Sequence, residues 1–253
     1  MIVLFTAIYG RAQGNFRVPK KDEDVSAWRE SMQKSVIEGH SFARVHLMRP
    51  DFTTRCVSVV SSGWTELMPS VFQSSEVCDG LMTSQSNVAL AMANGDCPAI
   101  IVYDEDEHQI GLLHGGLKCL VQNDGGIGIM QAFFKLHGFN RRTVRVRLGY
   151  GIGSCCYGLN RLPECHANAL VKKFPTAMAT NGPEVGKTSI DIFELMRLQL
   201  IELGLQNHQI VRLKIPQCTA CAKLGDLPAF HSNLYNRESA GRNLVLVWME
   251  PRR

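Results

Sequence analysis

Cys97 and His114 are the residues whose types and spacing most clearly suggest chemistry. They flank two apolar runs, PAIIVY and QIGLLH, which are separated by the polar segment DEDEH. A polar segment of that length predicts a β-hairpin loop. If the turn is centred on Glu105 or Asp106, cross-strand partners have numbers that sum to 211 or 212, and 97 plus 114 is 211. We therefore predict that the two side chains face each other, with β-carbons about 4.5 to 5.5 Å apart.

A neighbouring thiol and imidazole support two kinds of chemistry. An imidazolium lowers the pKa of a nearby thiol and produces a thiolate nucleophile. Alternatively, a thiolate sulfur and an imidazole nitrogen are both good ligands for zinc or copper. The glycines that follow His114 leave room for a ligand. The structural alternative is that Cys97 is a small core residue and His114 a histidine bonded to backbone at a strand end.

Three other motifs predict no site of their own. GPEVGKTS, from Gly182 to Ser189, has three residues between its glycines where a phosphate-binding P-loop needs four. GYGIGSCC is glycine-rich but precedes no convincing helix, so it predicts a tight turn or a close backbone approach. CTAC, from Cys218 to Cys221, has zinc-knuckle spacing, but no second pair of ligands follows it. We interpret this pair as buried reduced thiols.

The elements that must position these residues form a mixed pattern of helices and strands. Helices are predicted in DEDVSAWRESMQKSVIEG, in IMQAFFKLHG, which ends at Gly138, and in SIDIFELMRLQLIELG, with Ser189 as N-cap and Gly204 at the left-handed C-terminal position. Strands are predicted in RCVSVV, NVALAMA, PAIIVYD, QIGLLH, TVRVRLGY, QIVRLKI and RNLVLVWM. There is no regular βαβ alternation. We expect an α+β domain with largely antiparallel sheet and helices on the outside.

Composition excludes several classes of function. Hydrophobic residues make up 45% of the 253 residues, which is typical of a packed globular protein. The formal charge of +4 is spread along the chain, so the sequence indicates no nucleic-acid partner; the arginines that alternate in VRVRL instead predict a strand with one solvent-exposed face. No apolar window approaches the roughly 18 residues of a membrane span, and no signal peptide is evident. Together with nine irregularly spaced cysteines, this predicts a cytoplasmic protein with reduced thiols and no membrane partner.

Segments over nearly the whole chain resemble the laccase-domain, or polyphenol oxidoreductase-like, family, whose members include purine nucleoside phosphorylases. The resemblance is carried, in the order of the family, by FTAIYGRAQGNF, CDGLMTSQSNVALAMANGDCPAIIVYD, IGLLHGG, LGYGIGSCCYGLN, PQCTAC and FHSNLYNRESAGRNLVLVW. It implies a single domain over residues 1–253, of the type shared with cytotoxic-necrotizing-factor-like cysteine hydrolases, in which packed β-sheets carry helices on the outside as α/β/β/α layers.

The resemblance also implies a function. Family members bind a metal, usually zinc and sometimes copper, through a first histidine, a cysteine and a second histidine. The implied reaction is phosphorolysis of adenosine, inosine or guanosine, with adenosine deamination as a related activity. The implied partners are a small-molecule nucleoside and phosphate, in a protein that is a monomer or a homodimer.

The resemblance implies that Cys97 is the family cysteine and that His114 is the second histidine. It implies a catalytic and a metal-binding role for each of them. The first histidine should fall within VVSSGWTEL, where Ser62, or Gly63 if the register slips by one, stands instead. We predict that Ser62 binds substrate and that Lys118, Arg237 and Arg242 are the cations that contact phosphate or ribose. His231 is the one candidate for a replacement ligand, although a hydrogen-bonded histidine is the favoured interpretation.

Loss of the first histidine leaves several hypotheses open. The first is a purine nucleoside phosphorylase or deaminase that uses Cys97 and His114 with zinc or as a thiolate and imidazole pair. The second is a divergent paralogue that binds a nucleoside-like ligand without catalysis. The third is a metal-free cysteine hydrolase. Copper-dependent oxidation ranks lowest, because two retained ligands are a poor start for a multicopper centre.

Overall fold

The computed structural model describes residues 2–20, 23–60, 63–121, 128–161, 164–179, 188–213, 218–234 and 241–251. Within these residues the strands are β1 Ile2–Tyr9, β2 Arg44–Leu47, β3 Cys56–Ser58, β4 Trp64–Met68, β5 Val71–Ser74, β6 Gly80–Thr83, β7 Val88–Asn94, β8 Ala99–Asp104, β9 Gln109–His114, β10 Arg145–Leu148, β11 Met178–Ala179, β12 Ser189–Ile190, β13 Ile210–Arg212, β14 Lys223–Leu224, β15 Leu227–Pro228 and β16 Asn243–Pro251. The α-helices are α1 Ser26–Met32, α2 Leu117–Leu120, α3 Gly128–His137, α4 Glu164–Lys173 and α5 Ile192–Glu202. A π-helical segment, Gln33–Ile37, extends α1.

Twelve of the described strands form two six-stranded sheets. The first sheet has the order β1-β16-β7-β2-β5-β4, and the second has the order β13-β10-β8-β9-β6-β3. Most neighbouring strands are antiparallel, and the parallel neighbours are β2 with β5, β2 with β7, β3 with β6, and β10 with β13. The prediction of an α+β fold with largely antiparallel sheet is confirmed.

Side chains that alternate between the two faces of the central strands explain why the sheets and helices form layers. In β7, Leu90 and Met92 point into the core between the two sheets, whereas Ala89 and Ala91 point to the outer face, where α1 packs. In β8, Ile101 shares the core between the sheets, and its neighbours contribute to a second outer core with α3 and α5. Successive side chains of a strand point to opposite faces, so strands covered on both faces are apolar at every position. The result is the expected order of helix, sheet, sheet and helix.

The predicted helices are present, with one correction. Gly138 and Gly204 follow α3 and α5 with φ of +63° and +94°, the left-handed conformation that glycine adopts without strain. Ser189, however, does not cap α5, because it lies in β12. Asp191 is the cap, and its carboxylate accepts hydrogen bonds from the backbone nitrogens of Phe193 at 3.0 Å and Glu194 at 3.1 Å.

The β8–β9 hairpin is present, but its register differs from the prediction. Its last cross-strand pair is Asp104 with Gln109, and its first is Ala99 with His114. The loop between the strands therefore includes His108, which adopts φ of +52°. The turn is centred later than predicted because the Asp104 carboxylate accepts hydrogen bonds from two backbone nitrogens of the loop, those of Asp106 and Glu107. Cys97 consequently precedes the strand and is not the cross-strand partner of His114.

Other predictions concern the surface and the loops. Arg145 is exposed while Val146 and Leu148 are buried, so VRVRL is a strand with one solvent-exposed face, as predicted. GYGIGSCC forms an irregular loop in which an added Cβ on Gly151 would lie 2.6 Å from Pro98, the close backbone approach expected there. Gly182–Lys187 of the P-loop-like segment lies outside the described residues. Among the residues described, no helix combines the length and apolar character needed to cross a bilayer.

Candidate functional site

Cys97 lies in the tight connection between β7 and β8. The side chain of Asn94 donates a hydrogen bond to the carbonyl oxygen of Cys97. The adjacent Asp96 accepts hydrogen bonds from the Thr219 hydroxyl and from the Leu234 backbone nitrogen, both at 2.8 Å. One local contact and contacts from two distant segments therefore fix the connection that contains the half-buried Cys97.

His114 is the last residue of β9 and is 4% exposed. Its backbone nitrogen donates to the carbonyl oxygen of Asp79 at 2.8 Å, and the next backbone nitrogen, that of Gly115, donates to the Pro98 carbonyl oxygen at 2.7 Å. An added Cβ at Gly115 would lie 2.8 Å from that oxygen, so the close approach requires glycine. The edge of the hairpin is thereby joined to the Cys97 connection.

Asp79 is the residue that the sequence analysis missed. Its carboxylate is fully buried, and Oδ1 lies 2.6 Å from His114 Nδ1. Oδ2 accepts hydrogen bonds from the backbone nitrogen of Thr53 at 2.6 Å and from its hydroxyl at 2.9 Å. Burial acts to raise the pKa of Asp79, but the hydrogen bonds from His114 and Thr53 bring the pKa below its ordinary value. Asp79 belongs to the aspartate-glycine pair that supports the family resemblance, which was the only signal in the sequence.

Cys97 and His114 interact, although the hairpin register does not pair them. Burial acts to lower the pKa of His114, but the negative charge of a Cys97 thiolate and hydrogen bonds with Asp79, Cys119 and Cys97 raise the pKa well above its ordinary value. The structure therefore favours an imidazolium that is hydrogen-bonded to the Asp79 carboxylate. The arrangement of thiol, imidazole and carboxylate is that of an activated nucleophile whose base is oriented by a third group.

Gly116 lies against the other edge of the imidazole. An added Cβ at Gly116 would lie 3.0 Å from His114 Nε2, so a larger residue at this position would crowd the nitrogen. The Phe52 ring lies 5.2 Å from the imidazole, centroid to centroid, and the exposed Lys118 places its Nζ 5.4 Å from the centroid of that ring. A flat aromatic face and a cation thus lie beside the reactive pair.

Two of the predicted cations are described. Arg242 is half-buried, and burial lowers its pKa while the charge of Cys97 acts in the opposite direction, which places the guanidinium within electrostatic range of Cys97. Lys118 follows His114 on α2. Arg237 and Ser62 lie outside the described residues. The structure therefore brings Cys97, His114, Lys118 and Arg242 to one region.

The candidate metal ligands do not complete a catalytic zinc site. Ligand atoms of Asp79, His114 and Cys119 lie within 4.8 Å of one another, and their types suit zinc. However, Asp79 Oδ1 and His114 Nδ1 are 2.6 Å apart in a hydrogen bond, and Cys119 also lies within hydrogen-bonding distance of Oδ1, at 3.6 Å. An ion would have to bind on the opposite side, at His114 Nε2 and Cys97.

A third ligand is absent on that side among the described residues. His231 is hydrogen-bonded through Nε2 to the carbonyl oxygen of Gly14 at 3.0 Å, which agrees with the favoured interpretation of this histidine. Catalytic zinc usually has three protein ligands and one open position. The described residues supply two, so they do not fit a catalytic zinc ion by themselves.

Comparison with known proteins decides the family. Residues 5–250 match the model of the family described as multi-copper polyphenol oxidoreductase laccase. This chain belongs to that laccase family. The expected resemblance is therefore confirmed, whereas the more distant kinship with cysteine hydrolases stays a prediction.

Curated relatives of this laccase-family chain carry the name purine nucleoside phosphorylase. The protein YlmD of Geobacillus stearothermophilus is 27% identical over 170 residues, 67% of this chain and 59% of the relative. YlmD of Bacillus subtilis is 29% identical over 175 residues, 68% of this chain and 59% of the relative. A Corynebacterium glutamicum protein, Cgl2154/cg2365, is 28% identical over 183 residues, 72% of this chain and 67% of the relative. The chain thus spans 59% of the length of the two YlmD proteins.

Solved structures share the fold of this laccase-family chain. The crystal structure of YlmD from Geobacillus stearothermophilus superposes with a TM-score of 0.74 at 20% identity and covers 99% of this chain and 92% of that one. The crystal structure of the hypothetical protein YfiH from Bacillus licheniformis superposes with a TM-score of 0.69 at 21% identity and covers 92% and 85% of the two chains. These similarities establish the fold.

Proposed function

We propose that this laccase-family protein is a purine nucleoside phosphorylase that acts on adenosine, inosine or guanosine. The observation that carries the proposal is the group of Cys97, His114 and Asp79, in which the 2.6 Å contact with Asp79 engages His114 Nδ1 and leaves Nε2 on the side of Gly116. The names of the curated relatives support the choice of substrate.

The reaction is a displacement at the anomeric carbon of the nucleoside. An oxygen of phosphate forms a bond to this carbon while the glycosidic bond to the purine nitrogen breaks, and the electron pair of that bond leaves with the purine. The purine gains a proton, and the proton of the attacking phosphate replaces the one that was donated. The products are ribose 1-phosphate and the free base.

In this proposal the residues act mainly through charge and position. His114, kept protonated by Cys97 and Asp79, donates the proton to the departing purine from Nε2. Lys118 and Arg242, with Arg237 and Ser62 as further candidates, bind phosphate or ribose, since a guanidinium matches the geometry of phosphate oxygens. Phe52 offers a flat surface for the purine. Preorganised charge of this kind supplies most of the transition-state stabilisation in such a displacement.

Deamination of adenosine is the second reaction that the family resemblance implies. That reaction would need water activated by a metal ion, and the described residues supply only two ligands on the Nε2 side of His114. We therefore propose phosphorolysis as the main reaction. Formation of inosine from adenosine by a zinc-loaded sample, but not by a metal-stripped one, would add deamination to it.

The product identifies the reaction. Purified protein is incubated with inosine, with and without inorganic phosphate, and hypoxanthine and ribose 1-phosphate are measured. We expect both products in equal amounts and only when phosphate is present. Nucleoside-induced thermal stabilisation without turnover would instead support the non-catalytic paralogue. Absence of both turnover and stabilisation with adenosine, inosine and guanosine would contradict the proposal.

A metal-free cysteine hydrolase is the second candidate. The Asp79–His114 contact favours it, because it adds an orienting carboxylate to the thiol and imidazole. This function predicts that Cys97 is alkylated at neutral pH faster than the exposed thiols Cys155 and Cys221, as read by peptide mass spectrometry. An inert Cys97 would remove this candidate. The single domain, the cytoplasmic location and the monomeric or homodimeric state remain predictions.

A further inference from the structure

Four cysteines from two loops, none of them part of the pair of Cys97 and His114, come together in the fold. Cys155 and Cys156 follow β10, and Cys218 and Cys221 belong to CTAC. The four sulfur atoms lie within 4.8 Å of one another, and those of Cys155 and Cys221 are 3.6 Å apart. The interpretation of CTAC as buried thiols is wrong for Cys221, which is exposed. The sequence analysis looked for a second pair of ligands after CTAC. That pair is Cys155 and Cys156, which precede CTAC in the chain and lie next to it in the fold.

Backbone nitrogens surround the sulfur of Cys218. The nitrogen of Gly153, in the other loop, donates to this sulfur at 3.0 Å. The nitrogens of Ala220 and Cys221 also donate to it. A thiolate is a better acceptor than a thiol, so these backbone donors suit a sulfur that binds a cation.

The spacing of the sulfurs suits a tetrahedral ion. With Zn–S bonds of about 2.3 Å, the corners of a tetrahedron are about 3.8 Å apart. The observed 3.6 Å between Cys155 and Cys221 is close to that value and far longer than the roughly 2.05 Å of a disulfide. Cys156 and Cys218 are buried whereas Cys155 and Cys221 are exposed, which leaves a side from which an ion can enter.

We propose that Cys155, Cys156, Cys218 and Cys221 bind a structural zinc ion. The four thiols give up their protons on binding, and four thiolates around one divalent cation leave a net charge of −2 on the centre. The backbone donors to Cys218 offset part of this charge. The centre has no ligand in common with the pair of Cys97 and His114, and the proposal does not depend on the nucleoside chemistry.

The proposed centre would also support the Cys97 connection. Thr219 lies between two of the ligands, and its hydroxyl donates to Asp96 at 2.8 Å. The Thr219 backbone nitrogen donates to the carbonyl oxygen of Gly151 at 3.2 Å, which joins the two cysteine loops. A zinc ion that cross-links the loops therefore holds the partner of Asp96, the neighbour of Cys97.

Metal content with matched variants tests the proposal. Full-length protein is produced in zinc-supplemented medium, dialysed, and analysed for bound zinc; a second sample is refolded with Co²⁺ and its absorption spectrum is recorded. Cys155→Ser and Cys221→Ser change exposed ligands and should fold. Cys56→Ser, outside the cluster, is the matched control, and Cys97→Ala removes the thiol of the other site.

The proposal predicts about one zinc per chain that Cys97→Ala and Cys56→Ser retain and that Cys155→Ser and Cys221→Ser lose or bind at least tenfold more weakly. The cobalt protein should show the sulfur-to-metal absorption of a tetrathiolate site, altered in the two ligand variants. Zinc lost only in Cys97→Ala would overturn the proposal. So would a metal-free wild-type protein that binds no cobalt, or one in which mass spectrometry finds a Cys155–Cys221 disulfide. Phosphorolysis is tested separately, by the phosphate-dependent release of hypoxanthine.

Discussion

The Asp79 carboxylate controls which chemistry His114 can perform. It is fully buried, yet it stays ionised because His114 and Thr53 donate hydrogen bonds to both of its oxygens. By occupying Nδ1 it fixes the orientation of the imidazole, and its charge favours the imidazolium. The residue therefore acts through His114, as a positioning group.

Replacement of Asp79 by asparagine should lower the reactivity of Cys97. The amide would keep the size of the side chain but remove the charge, so that His114 is less often protonated and the Cys97 thiolate less stabilised. We expect the rate of alkylation of Cys97 at neutral pH to fall about tenfold or more, since one pKa unit corresponds to a factor of ten. Asp106→Asn, at the exposed hairpin turn, is the control. An unchanged rate in a folded Asp79→Asn protein would show that the pair does not depend on this carboxylate.

The stability of the protein should depend on pH through the same pair. His114 has a folded-state pKa above its ordinary value of 6.5, so its contribution is complete below pH 6.5 and is lost as the pH rises through the folded-state pKa. Asp79 has a folded-state pKa below 3.8, so its contribution is complete above pH 3.8 and is lost as the pH falls through the folded-state pKa.

We therefore expect the free energy of unfolding in urea to fall above pH 6.5, by up to about 1.4 kcal/mol per pH unit. His114→Asn, which keeps a donor for Asp79, should show a shallower decrease over that range. Equal slopes in the two proteins would indicate that other groups cause the dependence.

Among the elements, β9 connects the site to the outer helices. Its residue Gly111 faces α3, and an added Cβ there would lie 2.2 Å from the Phe133 ring. Phe133 is fully buried, so it cannot move aside without disturbing its neighbours. The glycine thus lets α3 pack directly on the strand that ends in His114.

Gly111→Ala should destabilise the protein by about 1–3 kcal/mol, the usual cost of overpacking a core. Urea denaturation measures the change. Gly39→Ala is a matched control, because the nearest atom to an added Cβ there is a backbone oxygen at 3.9 Å. If both variants unfold at the same urea concentration, the helix is not packed as closely on β9 as the structure indicates.

Periodicity predicted long elements such as α5 and β16, but it missed the eight-residue strand β1 and the ten-residue helix α4. The run RNLVLVWM became β16, which is buried on both faces, and the arginine alternation became β10. The short strands β2, β4, β5 and β6 were not predicted, since each has only four or five residues and no long apolar run. The hairpin register was missed because a side-chain acceptor, Asp104, moved the turn. The hydrophobic pattern of a sequence does not predict local hydrogen bonds of that kind.

At the scale of the whole molecule, the site is a meeting point of distant segments. Cys97 and His114 were predicted from one hairpin, but Asp79 comes from the residue before β6 and Arg242 from the residue before β16. Likewise, the two cysteine pairs lie far apart in the chain and meet only in the fold. Sequence spacing could identify Cys97 and His114, because they are close in the chain. The positions of Asp79, Arg242 and the cysteine pairs depend on how the two sheets pack, which the local hydrophobic pattern does not specify.

The central claim is that Cys97 and His114 form one site that cleaves purine nucleosides with phosphate. The most direct measurement is the initial rate of hypoxanthine release from inosine at saturating phosphate, for the wild-type protein, Cys97→Ala and His114→Asn, with Cys56→Ser as control. The account predicts phosphate-dependent release by the wild-type and control proteins and a loss on the order of 10² or more in kcat/KM for each site variant. Wild-type rates in both site variants, or release that is independent of phosphate, would contradict it.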